Sequence, residues 1–268
     1  MAQANDIFSW YFEIPPVSRF YLTSAVSIST ACFLDFVSPL TLYYNYDLIV
    51  SKGQYWRIVT SFLFFGSFSL DFLFHMYFVV RYCRLLEEGT FRGRTADFLA
   101  MIFFGATMML LSTLLIDKFS TIKFLGHPLT FMMVYLWARD PDNYHIRMSF
   151  FGVIQFNAPY LPWVLLLFSL VLGNPVEMDI LGIIVGHTYY FLDFVYPQVA
   201  ELRGWSLKKI MITPSILKYI FSPHRDIQIV ETDVRIHYFF ISLFIFIALL
   251  LLFIIITIHH HYIAIILN

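Results

Sequence analysis

The sequence predicts an all-α polytopic membrane protein, a bundle of six transmembrane helices with an extra C-terminal hydrophobic helix. Three observations predict it. Charged residues make up 13% of the chain against 59% hydrophobic ones, whereas soluble domains carry about 25% charge to face water. Mean hydropathy is +0.73. The apolar residues also come in runs long enough for a bilayer helix, which needs about 20 residues.

Six such runs read as spans, at roughly 20–37, 58–80, 96–116, 121–138, 150–172 and 176–196. Pro159 and Pro162 open or kink the fifth, and Gly173-Asn174-Pro175 breaks it from the sixth in a tight hairpin. A seventh run, 238–258, follows a polar segment and is rich in Ile, Leu and Phe with no polar mark of function. It reads as a lipid-facing anchor. The chain thus divides into a transmembrane domain (1–196), a cytosolic polar segment (197–237), an additional transmembrane helix (238–258) and a short tail (259–268).

Orientation follows from the cations. The N-terminus and the loops after spans two, four and six collect Arg19, Arg81, Arg84, Arg92, Arg94, Arg139, Arg147 and the basic residues of 203–235. The opposite face receives only Lys52, Arg57, Lys118 and Lys123. The N-terminus is therefore expected in the cytosol. No Lys or Arg precedes Arg19, so the first span is expected to serve as its own targeting signal rather than as a cleaved leader. A formal net charge of −1 gives no field for nucleic acid. Cys32 and Cys83 lie in or beside apolar runs and imply no disulfide framework. His259, His260 and His261 carry metal-binding nitrogens, but one isolated run lacks the geometry of a site. No metal and no cofactor are expected.

Ionisable residues inside a span are costly and default to functional candidates. Asp71 and His75 stand at i and i+4 on one helical face, with Asp71 near the middle of the second span. They either wet a water-filled groove or pair with each other inside the bundle. In "DILGIIVGH", Gly182 and Gly186 share a helix face with Asp179 and permit close approach of a neighbouring helix. His187 lies about 100° round from Gly186, where an interhelical hydrogen bond is a commoner role than catalysis. In "EEGTFRGRTADF", Gly89 and Gly93 read as turn positions, Thr95 as a helix cap, and Asp97 as a complement to that helix's N-terminus. Arg92 and Arg94 there obey the positive-inside pattern and can also meet anionic lipid. "SKGQYWRIVTSFLFFG" sets Gln54, Trp56 and Arg57 against an apolar run. Trp favours the headgroup level, and Arg bonds phosphate or backbone carbonyls while its stem stays apolar.

Seven segments in register resemble the Derlin branch of the rhomboid superfamily, closest to its Derlin-2/Derlin-3 type. They are "IPPVSR", "YWRIVTSFLFFG", "RYCRLLEEGTFRGRTADF", "VYLWAR", "APYLPWVL", "DILGIIVGH" and "TPSILKYIF". The resemblance implies a rhomboid-like six-helix fold in which Gln54, Trp56 and Arg57 anchor a luminal loop at a fixed depth. Active rhomboids carry Gly-x-Ser-Gly on the fourth span and His-x-x-Gly-x-x-x-Gly on the sixth. Here the matching stretches are "GHPL", with Pro128 for the serine, and a glycine register that puts Asp179 for the histidine. Acyl transfer needs a nucleophile and an adjacent base, so a pseudoprotease is expected.

The resemblance further implies residence in the endoplasmic reticulum membrane and a part in returning misfolded proteins to the cytosol for degradation. Its partners would be misfolded proteins, a membrane ubiquitin-ligase complex, lipid, other copies or relatives, and the valosin-containing AAA ATPase. The short Phe-and-Gly motif that recruits this ATPase is not visible in 197–268. An intramembrane hydrolase with an unconventional nucleophile and a small-molecule channel or transporter are the rival readings; the second would show internal repeats.

Overall fold

The computed structural model describes residues 11–150, 154–171, 173, 175–205 and 210–221. It divides into two compact units, Met1–Tyr190 and Phe191–Asn268. The anchor expected at 238–258 and the histidines at 259–261 lie outside the described residues.

In the first unit, Pro16 preorganises the opening turn of α1 (Pro16–Phe33). The chain then runs through a 3₁₀ turn, Pro39–Thr41, into α2 (Tyr46–Lys52), whose start is capped by Asn45 and whose end is turned by Gly53 at φ +65°. Next come α3 (Trp56–Leu63) and α4 (Leu70–Leu85). A wide π turn, Leu86–Thr90, leads towards α5 (Thr95–Leu115). After a single turn at Asp117–Ser120 follows α6 (Gly126–Arg139). Strands β1 (Arg147–Phe150) and β2 (Ile154–Asn157) form an antiparallel hairpin that opposes Met148 to Phe156. Helices α7 (Leu161–Val171) and α8 (Val176–Tyr190) complete the unit. In the second unit, a π turn at Phe191–Val195 precedes α9 (Tyr196–Leu202), and α10 (Ser215–Phe221) follows Pro214.

The fold is mostly helical, and two helical stretches are long and apolar enough to cross a membrane among the described residues. They are Thr95–Leu115 and Val176–Leu202. The others are shorter. At 1.5 Å per residue, the 14 residues of α6 and the 11 of α7 reach about 21 and 16 Å, well below the hydrocarbon thickness of about 30 Å.

Helix α6 is the axis of the unit. Every residue in it except His127 and Arg139 is buried, the condition of a helix that is apolar all round. Close approach onto it depends on glycine. A β-carbon on Gly105 of α5 would collide with the Met132 sulfur. One on Gly182 of α8 would lie 2.5 Å from the Pro128 carbonyl oxygen, and one on Gly186 would meet the Tyr135 ring at 3.1 Å.

Five expectations are corrected. The second span does not run 58–80: Gly66 at φ +99° breaks it, and Ser69 caps a helix that begins at Leu70. Asp71 therefore sits in that helix's first turn rather than near a span's middle. The fifth span does not run 150–172; its first part is the hairpin, a turn at Ala158–Tyr160 holds Pro159, and Pro162 opens α7 without kinking it. Thr95 does not cap α5, because the cap position belongs to Arg94 and makes no side-chain bond there. Gly89 lies inside the π turn, while Gly93 at φ +70° is the turn residue that requires glycine.

Gly182→Ala presses its methyl against fixed backbone and is expected to destabilise by roughly 1–3 kcal/mol, the range for overpacking. Gly186→Ala meets only a ring that can yield, so it should cost clearly less. Thermal unfolding of both variants in detergent checks the order; equal midpoints would refute the close-approach account.

Candidate functional site

Two polar clusters stand out against the apolar bundle. The first organises the stretch between α1 and α3. Arg57, only 5% exposed, donates through Nε to Gln54 Oε1 at 2.7 Å. Its Nη1 donates to the carbonyls of Leu40 and Tyr43, each at 3.0 Å, and the guanidinium lies 4.9 Å from the Tyr43 ring centre. The Trp56 indole donates to the Thr41 carbonyl at 3.3 Å, and Thr60 donates to the Leu42 carbonyl at 3.0 Å. The carbonyls of 40–43 are thus satisfied by side chains of α3 instead of by water. Around it Phe36, Leu40, Val50, Tyr55 and Trp56 are exposed, an apolar surface suited to the interfacial zone.

The second cluster runs through the bundle. Asp71 Oδ2 lies 3.2 Å from His75 Nε2. His75 Nδ1 lies 3.1 Å from His127 Nδ1. His127 Nε2 lies 2.6 Å from Asp179 Oδ1. The chain begins on α4, crosses α6 and ends on α8, where Asp179 is completely buried and its Oδ2 has no hydrogen-bond partner. Position explains its assembly. Asp71 and His75 share a face at i,i+4; His127 occupies the first turn of α6; Asp179 reaches it because Gly182, one turn on, lets α8 approach the Pro128 carbonyl.

Beside this chain lies a small pocket between α4, α6 and α7, lined by Asp71, His75, His127, Thr130, Phe168 and Ser169. It adjoins a larger groove of about 830 Å³ between α4, the hairpin and α7. Leu73, Phe74, Tyr77 and Phe156 make its walls apolar, and Arg81 and Arg147 also line it. Ser169 Oγ is buried and unbonded, and Thr130 Oγ1 donates to the Gly126 carbonyl at 3.0 Å.

The residues singled out in the sequence divide accordingly. Gln54, Trp56 and Arg57 meet in the first cluster. Asp71, His75 and Asp179 meet in the second, joined by His127, which sequence reasoning missed. Its signal was present: an ionisable residue in an apolar segment, next to Pro128. Pro128 is buried where α6 begins and carries no donor to leave unpaired. Gly182 and Gly186 face α6. His187 is exposed and its Nδ1 lies 2.7 Å from the Tyr135 hydroxyl. Arg94 donates to the Thr90 carbonyl and lies 3.7 Å from Asp97, whereas Arg92 is exposed. Cys32 and Cys83 are free and buried. Among the described residues no group of three or more His, Cys, Asp or Glu side chains is arranged to hold a metal.

A model of the Der1-like family matches residues 14–215. Derlin-2.1 of Arabidopsis thaliana is 48% identical over 242 residues, covering 88% of this chain and 95% of that one. Derlin-2.1 of Zea mays is 49% identical, with 83% and 88% covered. A probable derlin-2 homolog of Dictyostelium discoideum is 41% identical, with 81% and 83% covered.

Removing the Arg57 fork leaves the Leu40 and Tyr43 carbonyls unpaired at partly buried contacts, and each hydrogen bond to a charged group is worth about 1.5–3 kcal/mol. Arg57→Ala is therefore expected to lower the unfolding midpoint strongly and to expose residues 40–43 to hydrogen exchange. Arg57→Lys should restore only part, since a point charge cannot reach both carbonyls and Gln54. Full recovery by lysine would refute the fork.

Proposed function

Because the chain belongs to the Der1-like (Derlin) family, we propose that it is a non-catalytic component of endoplasmic-reticulum-associated degradation. It assists retrotranslocation of misfolded proteins to the cytosol by offering a hydrated groove in a locally thinned membrane. It resides in the endoplasmic reticulum membrane as a multi-pass protein with a cytosolic N-terminus. Family membership supports the degradation role; the arrangement of α4, α6 and α7 supports the mechanism.

One observation carries that mechanism. The groove between α4 and α7 adjoins a pocket lined by carboxylate, imidazole and hydroxyl groups, and it is bounded by helices too short to match the bilayer. A polypeptide crossing hydrocarbon leaves backbone groups unsatisfied at several kcal/mol each. Polar groups at the groove floor admit water and supply hydrogen-bond partners, while short α6 and α7 favour thinning at fractions of a kcal/mol per Å of mismatch. The groove lies between the second and fifth membrane segments of the rhomboid-like bundle. The loop clamped by Gln54, Trp56 and Arg57 fixes its luminal side. Misfolded luminal and membrane proteins are the substrates, with a ubiquitin-ligase complex and the AAA ATPase acting on the cytosolic face.

A hydrolase reading has one specific observation behind it: Ser169 shares the small pocket with both imidazoles. Against it, Ser169 Oγ makes no hydrogen bond, Thr130 is bonded to its own helix, and Pro128 has no hydroxyl. A base with no hydroxyl in bonding reach has no acyl-transfer step to begin. On the degradation reading, transmembrane reporters incubated with the purified protein stay intact.

The role is tested by a chase of a misfolded luminal reporter in cells depleted of this protein. Depletion is expected to slow reporter decay several-fold, and wild type to restore it. Trp56→Ala with Arg57→Ala, and Asp71→Leu with His75→Leu, should fail to restore it at equal expression. Decay indifferent to depletion would overturn the role; rescue by the Asp71/His75 double variant would remove the polar groove from the mechanism.

A further inference from the structure

We infer that the chain Asp71–His75–His127–Asp179 is a proton-binding site that ties the second membrane helix, α4, to the central helix, α6. The argument is a count of hydrogens. The chain contains three polar contacts, at 3.2, 3.1 and 2.6 Å, and each needs one hydrogen between its heavy atoms. Two neutral imidazoles bring two hydrogens, and two carboxylates bring none. If both imidazoles point N–H at their carboxylates, the two Nδ1 lone pairs face each other at 3.1 Å and repel. If His127 turns its hydrogen towards His75, its Nε2 lone pair faces the Asp179 carboxylate at 2.6 Å. Every arrangement with two hydrogens leaves one contact repulsive. A third hydrogen satisfies all of them.

That proton sits on one of the two imidazoles, making it an imidazolium that donates through both ring nitrogens. A shift of the shared hydrogen between the two Nδ1 atoms moves the positive charge from one ring to the other without breaking a contact. The ends differ. The Asp71 side chain is 56% exposed, His75 and His127 are 16% and 18% exposed, and Asp179 is 0% exposed. Protons therefore exchange at Asp71, while Asp179, with its second oxygen unpartnered, forms the closed end. Among the described residues that line the two pockets beside the chain, none outside it carries a charge. The pockets on its two sides are lined otherwise by Phe64, Phe65, Phe124, Leu165, Met178, Ser169 and similar uncharged groups.

Loss of the proton as pH rises returns the chain to two hydrogens. The imidazoles part, and α4 loses its polar tie to α6 beside the pocket shared with α7. This consequence rests on the groove reading above; the proton count does not. Occupancy of the site then sets how readily the groove opens, and binding of a polar or cationic substrate segment at Asp71 is coupled to proton release.

The test uses the full chain in lipid nanodiscs with ¹⁵N-labelled histidine. Near neutral pH the wild type is expected to show one imidazolium equivalent that disappears in His127→Gln. Asp179→Asn and Asp71→Asn are the decisive variants. An amide donates its own N–H to the ring nitrogen, so each variant keeps all three contacts with both imidazoles neutral. Each should lose the imidazolium signal and keep its unfolding midpoint. Two neutral imidazoles in the wild type, or an imidazolium surviving both asparagine variants, would overturn the site.

Spin labels at Tyr77→Cys on α4 and Leu167→Cys on α7, both exposed positions, read the gate. Their separation should grow with rising pH in wild type and stay constant in Asp179→Asn. A wild-type separation that ignores pH would overturn the tie between helices. A failed proton count with a successful reporter chase overturns this inference alone, and the converse overturns the groove reading alone.

Discussion

The close approach of α8 to α6 is the constraint on which the rest of this bundle depends. Gly182 lies against the Pro128 carbonyl with no room for a methyl group, and two consequences follow within about a turn and a half on either side. Towards the N-terminus of α8, Asp179 comes within 2.6 Å of His127; towards its C-terminus, His187 comes within 2.7 Å of Tyr135. Helix association in lipid lacks the hydrophobic drive available in water and relies on packing and hydrogen bonds. A glycine contact flanked by two polar contacts supplies both. The same contact holds α6 by its start, the only part of that helix where a proline fits without loss of a bond.

Two further buried charges show how irregular segments are held where water is scarce. Arg57 serves carbonyls between α1 and α3. At the other end of α1, the buried Glu87 accepts from the Val17 and Ser18 backbone N–H groups, at 3.2 and 2.9 Å, and from the Ser18 hydroxyl at 2.7 Å. A carboxylate there satisfies the free donors of a helix N-terminus and complements its dipole. The first helix is thus pinned at its start by the turn after α4, while its far end leads into the Arg57 loop. Each charge compensates several backbone groups at once, which is why one residue suffices at each place.

How much of this was legible in the sequence depended on the range of the physics. Composition and apolar runs carried the membrane class and most helices. The i,i+4 spacing of Asp71 and His75 and the Asp179–Gly182–Gly186 face were local facts and could be read directly. The break in the second span was also local: Gly66, Ser67 and Ser69 form a small polar cluster with Ser69 placed to cap, but Phe64, Phe65, Phe68 and Phe72 keep a hydropathy window high across it. The hairpin at 147–157 hid for a similar reason, since its alternation is short and runs into the apolar residues of α7. What spacing could not carry were partners distant in the chain. Glu87 meets residues 69 and 70 positions away, and His127 meets partners 52 positions away on either side. His127 was read only as the neighbour of Pro128.

The rhomboid comparison gains chemical content from these contacts. A protease of that superfamily pairs a hydroxyl on the fourth span with an imidazole on the sixth. Here α6 carries the imidazole of His127, α8 carries the carboxylate of Asp179, and α4 adds another of each in His75 and Asp71. An imidazole between a carboxylate and a hydroxyl can pass a proton to a reaction; an imidazole between a carboxylate and another imidazole can only pass it along the chain. On the proposed non-catalytic reading, the exchange of residue types removes the step that breaks a bond and retains the capacity to hold charge between helices. For a protein proposed to move chains through hydrocarbon without cutting them, polar groups that bind water, protons and backbone in turn are the useful remainder of that geometry.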